Sequence, residues 1–122
     1  MIRLLRILIC SAAVFLGGCG QKDMVVTPAM AQGLRVEAGG LLSDSIATGK
    51  VFWTTADGLP KEIGALNPQF VQVDVYRSNV TVQLVGGFRH EGLILLPTNV
   101  PPLPKKKNRV ELAPGVYRYY AP

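Results

Sequence analysis

The sequence predicts a small, mainly β domain: an antiparallel sandwich or partly open barrel with one short helix. Three observations lead there. Aliphatic and polar residues alternate from Phe70 to Val85 across a central turn, Gly39-Gly40, Asp57-Gly58, Gly86-Gly87 and Pro114-Gly115 break the chain into short runs, and only Leu59 to Asn67 suits a helix. The chain has 122 residues, enough for one domain of this kind. With 48% hydrophobic and 17% charged residues, it has neither a disordered composition nor that of repeated membrane spans.

The first strand is expected at Leu34 to Ala38, where Leu34, Val36 and Ala38 alternate with Arg35 and Glu37 before Gly39-Gly40. A second is expected from Ile46 to Thr55, whose β-branched and aromatic residues favour a pleated surface until Asp57-Gly58 stops it. The helix at Leu59 to Asn67 starts well with Pro60, but Gly64 weakens it and Pro68 ends it.

The hairpin from Phe70 to Val85 is the clearest element. Pairing Val75 with Val80 sets Val73 opposite Val82 and Val71 opposite Leu84, which places all six aliphatics on one face. Gly86-Gly87 permits a bulge, and Leu93 to Leu96 reads as a strand covered on both sides. Pro97 to Pro104 holds four prolines, so it cannot donate a regular ladder and reads as an extended surface crossing. Asn108 to Ala113, the turn Pro114-Gly115 and Val116 to Tyr120 form a second hairpin. There is no internal repeat.

Residues 1–18 differ in kind from the rest. Arg3 and Arg6 give a positive start, Ile7 to Phe15 is an apolar run too short to span a bilayer, and Gly17 and Gly18 lead into Cys19. The sequence Leu16-Gly17-Gly18-Cys19 resembles the lipobox of bacterial lipoproteins, although Gly17 stands where alanine or serine is commoner. The resemblance covers only this signal segment. It implies that the Cys19 thiol receives a diacylglyceryl group, that a dedicated peptidase cuts before Cys19, and that the new amine is open to acylation. Gly20 stands where an aspartate would imply inner-membrane retention, so the resemblance implies the outer membrane, with the domain facing the periplasm. The expected organisation is a signal peptide at 1–18, a lipidated cysteine and tether at 19–33, and a β-rich domain at 34–122.

With Cys10 discarded and Cys19 lipidated, the mature domain keeps no free thiol, disulfide or thiolate metal site. Removing Arg3 and Arg6 from the formal net charge of +5 leaves +3. From Lys105 onward, Lys105, Lys106, Lys107, Arg109 and Arg118 stand against Glu111, so the basic character is local to the C-terminal segment.

Catalytic patterns are weak. His90 is the only histidine, and its neighbour Glu91 points to the opposite face of an extended segment. With one histidine and no thiol, only scattered carboxylates remain for a metal; neither a metal nor another cofactor is expected. Asp74 lies mid-strand with no spacing that singles out a carboxylate partner, and Ser43, Ser45 and Ser78 lack a nucleophile elbow. Neither glycine pair opens a phosphate-binding helix.

The expected function is therefore non-enzymatic: an outer-membrane lipoprotein, held by lipid on Cys19, whose β domain assembles with another envelope protein in a secretion, conjugation or pilus-like machine. Its interaction candidates are Lys105, Lys106, Lys107 and Arg109 with Tyr117 and Tyr119. Export argues against nucleic acid as their partner and for an acidic protein or envelope phosphates. A solvated bend that protects a sheet edge is the plain alternative for these residues. The alternative function is a ligand-binding module for cell-wall glycan or lipopolysaccharide, with Trp53 and Tyr76 as stacking candidates.

Overall fold

The computed structural model describes residues 25–84 and 90–121, with His90 and Ala121 as backbone only. The signal segment, Cys19 and the Gly86-Gly87 bulge lie outside the described residues. The described chain is mainly β and antiparallel, as expected. It forms one open sheet of six strands, and the layer opposite it is a helix where a sandwich or barrel would place more strands.

That helix, α1 (Pro28–Thr48), replaces the strand expected at Leu34 to Ala38, the last part of the tether and the start of the strand expected at Ile46. The folded unit accordingly begins near Val26, which is buried, rather than at Leu34. Its start is well specified: the Thr27 hydroxyl accepts from the Met30 N–H at 3.2 Å, and Pro28 occupies the first turn. Gly49 ends it in the left-handed region at φ 76°, its N–H donating to the Ser45 carbonyl. Ala31, Leu34, Ala38, Leu41 and Ser45 make the buried stripe at alternating spacings of three and four. A five-residue alternation also satisfies helical spacing, because Leu34 and Ala38 are four apart; Val36, the third member, is exposed.

The strands are β1 (Phe52–Trp53), β2 (Phe70–Asp74), β3 (Asn79–Gln83), β4 (His90–Leu95), β5 (Arg109–Ala113) and β6 (Val116–Ala121), in spatial order β1-β2-β3-β4-β6-β5. Of the strand expected from Ile46 to Thr55, only β1 forms. A 3-10 turn (Thr55–Asp57) follows, closed by Asp57 Oδ2 accepting from the Thr54 N–H at 2.8 Å. The short helix stands where expected, as α2 (Lys61–Ala65). Glu37 of α1 holds it: its two carboxylate oxygens accept from the Glu62 N–H at 2.9 Å and the Ile63 N–H at 2.8 Å.

The first hairpin forms with its register two residues from the expected one. Val73 pairs with Val80 and Val71 with Val82, because the turn is centred one residue earlier. Asp74 Oδ1 accepts from the Arg77 N–H at 3.0 Å, and Ser78 takes φ 56°. A two-residue shift keeps the side-chain parity, so Val71, Val73, Val80 and Val82 still share the core face. Val75 moves into the turn, where it is exposed, and Leu84 is half-buried at the margin.

Leu93 and Leu95 of β4 and Val116 of β6 continue this face, and Leu34, Ala38, Leu41 and Ile63 cover it. Arg35 clamps α1 to the end of β4, donating from Nε to the Leu96 carbonyl and from Nη2 to the Pro97 carbonyl, both at 2.9 Å. Its side chain crosses Gly115, where an added Cβ would lie 2.3 Å from Nε and φ is +78°. The second hairpin forms as expected, and β6 lies between β4 and β5. The proline crossing must therefore pass β6 to deliver the chain to the sheet edge.

Candidate functional site

The uncovered face of the sheet carries the alternate residues of each strand, and the crossing lies against it. Tyr117 fixes that position. It projects from β6 onto this outer face, is buried, and its hydroxyl accepts from the Leu103 N–H at 3.0 Å. Arg109 adds a second pin: its guanidinium sits 5.9 Å from the Tyr117 ring centre and donates to the Pro104 carbonyl. The Arg109 N–H donates to the Lys106 carbonyl at 3.2 Å, so the basic segment is a built turn.

The crossing forms a ridge with a cleft on each side. One cleft, about 530 Å³, lies toward β2, β3 and β4; Gln72, Asp74, Asn79 and Thr81 line it with Ile94 and Leu103. The other, also about 530 Å³, lies toward β5 and is lined by Pro102, Leu103, Lys105, Val110, Glu111 and Tyr117. Lys106 and Arg109 border both. β5 is an end strand, and among the described residues its outer edge carries the Lys106–Arg109 bridge.

The six interaction candidates thus divide. Lys105, Lys106 and Lys107 are exposed. Arg109 and Tyr117 shape the surface by holding the crossing down. Tyr119 turns to the sheet: its hydroxyl donates to Gln83 Oε1 at 2.6 Å, and burial pushes the phenol above its ordinary pKa. Its ring lies against Gly92, where an added Cβ would stand 2.6 Å from the Tyr119 oxygen and 2.3 Å from the Val82 carbonyl. Gln83 in turn donates to the Leu84 and Glu91 carbonyls at 3.3 Å.

The weaker candidates are scattered. Glu91 projects to the helix-covered face and pairs with the buried Arg118 at 3.0 Å, whereas Asp74 lies on the opposite face. His90 begins β4. Trp53 is 7% exposed, with Lys50 Nζ 5.4 Å from its ring, while Tyr76 is 99% exposed at the tip of the first hairpin. Asp57 is held below the usual carboxylate range, first by the Thr54 backbone hydrogen bond and then by Lys50, 3.0 Å away. Among the described residues, no group of three or more His, Cys, Asp and Glu is placed to hold a metal ion, and no helix is long and apolar enough to cross a membrane.

Sequence reasoning missed the cleft toward β2 and β3. The alternation of Gln72, Asp74, Thr81 and Gln83 marked a polar sheet face, but nothing in that pattern signalled a wall built by residues from the crossing. Compared with known proteins, the chain matches no family model, no curated protein and no solved structure.

Proposed function

We propose that this chain is a lipid-anchored accessory component of a cell-envelope complex, held at the outer membrane through Cys19 and docking an envelope protein on the cleft beside β5. The observation that carries the docking is the pinned crossing: Tyr117 and Arg109 hold the proline segment in place, so Lys105 to Lys107 project from a fixed ridge next to an end strand. Pre-ordering of this kind lowers the entropy cost of association. Three successive lysines select an acidic partner surface and speed encounter with it.

The anchor rests on the lipobox residues Leu16 to Cys19. With the folded unit beginning at Val26, the span from Cys19 reaches at most roughly 25 Å, which keeps the domain close to the bilayer.

A photo-crosslinking residue at position 107 in living cells tests both parts. A discrete adduct is expected from position 107 and none from position 32, which lies on the solvent face of α1. Cys19→Ser removes fatty-acid labelling and diminishes the adduct. Absence of any position-107 adduct overturns the docking, and an unlabelled wild-type chain overturns the anchor.

A further inference from the structure

We infer that the cleft toward β2 and β3 is a binding site for a phosphorylated sugar, a role separate from protein docking and not dependent on it. Its floor is a sheet face that carries groups of both hydrogen-bonding senses. Gln72 and Thr81 are cross-strand partners, and Asp74 pairs with Asn79 in the same hairpin, so two amides, a hydroxyl and a carboxylate stand side by side. Among the described residues, the side chains of Gln72, Asn79 and Thr81 make no hydrogen bond to the protein. Asp74 accepts one backbone hydrogen bond through Oδ1, faces the Arg77 guanidinium at 3.8 Å through Oδ2 and keeps further lone pairs, its side chain being 43% exposed.

Vicinal hydroxyls, each a donor and an acceptor, match such a floor. Ile94 and Leu103 add an apolar patch suited to the C–H face of a sugar ring. Arg77 offsets Asp74 at 3.8 Å, so Lys106 and Arg109 remain as the cations that select a ligand also bearing an anion. The volume of about 530 Å³ lies in the range of small-molecule sites.

An acidic peptide fits less well. The backbone groups of β2, β3 and β4 are committed to their ladders here, so an extended chain finds no strand to join.

Titration of the whole protein in mild detergent with glucosamine 1-phosphate, glucosamine and inorganic phosphate tests the assignment. Saturable binding of the sugar phosphate is expected, at least about tenfold tighter than either half alone. Asn79→Leu with Thr81→Val, and separately Lys106→Ser, each weaken it by about tenfold or more while melting temperature stays close to wild type. No binding, phosphate bound as tightly as the sugar phosphate, or affinity unchanged in both variants overturns the assignment.

Competition in the same detergent identifies the source of the sugar. Displacement of the bound sugar phosphate by micelles carrying a phosphorylated glycolipid, and not by phosphatidylglycerol micelles, identifies a lipid headgroup; displacement by neither identifies a free sugar phosphate. Equal displacement by both marks a charge effect and overturns the sugar assignment. The position-107 adduct should persist in Asn79→Leu with Thr81→Val, which separates failure here from failure of the docking.

Discussion

Gly40 and Gly92 have the same side chain and opposite roles. Gly40 lies mid-helix in α1, facing solvent, and an added Cβ would meet nothing within 4 Å. Gly40→Ala should therefore stabilise the fold by about 0.5–1 kcal/mol, through helix propensity alone. Gly92 sits in a central strand under the Tyr119 ring, where a Cβ would press on the Val82 carbonyl at 2.3 Å. Gly92→Ala should destabilise by about 3 kcal/mol or more, because a backbone oxygen cannot swing aside. Urea unfolding of the two variants checks both signs. Tyr119 offers a pH test at the same scale. Burial raises its folded pKa, so the neutral phenol stabilises the fold fully below about pH 10 and that contribution is lost as pH rises through the folded value. Tyr119→Phe should lose about 1–2 kcal/mol at neutral pH, leaving Gln83 Oε1 without its donor, and should show a smaller alkaline decline than wild type. None of these contrasts was legible from residue type, since each depends on what a second strand brings alongside.

At the scale of elements, α1 shows why the early part of the sequence misled. Alternation over five residues fits a strand and a helix equally, and Gly39-Gly40 looked like a break. The helix survives both glycines because its stripe from Ala31 to Ser45 is buried on the sheet, and burial outweighs a propensity loss of about 1 kcal/mol per glycine. α2 has only five residues and depends on that helix for its start. Glu37→Ala should leave the Glu62 and Ile63 N–H groups without acceptors, lower stability by about 1–3 kcal/mol and raise proteolysis between Leu59 and Asn67. A variant protected as well as wild type would show that α2 stands without Glu37. The hairpins were more legible: the second has its expected turn at Pro114-Gly115, and the first was displaced by two residues without changing which side chains face the core. Strand parity is set by local alternation, whereas the turn centre depended on the Asp74 hydrogen bond and the φ of Ser78.

Across the whole molecule, the crossing gives the sheet its two unlike faces. Because β6 inserts between β4 and β5, the chain from Pro97 to Lys107 must traverse the side that α1 leaves open, and Tyr117 fixes it there. The sequence by itself determined the antiparallel, mainly β class, the four core valines of the first hairpin, the second hairpin and the concentration of charge after Pro104, since alternation, turn residues and composition are properties of neighbours along the chain. The helix as the second layer, the strand order and the two clefts were decided only by tertiary structure. Those features need residues far apart in sequence, such as Arg35 with Leu96 or Gln83 with Tyr119, to meet, and which distant partners meet is settled by burying one shared apolar face.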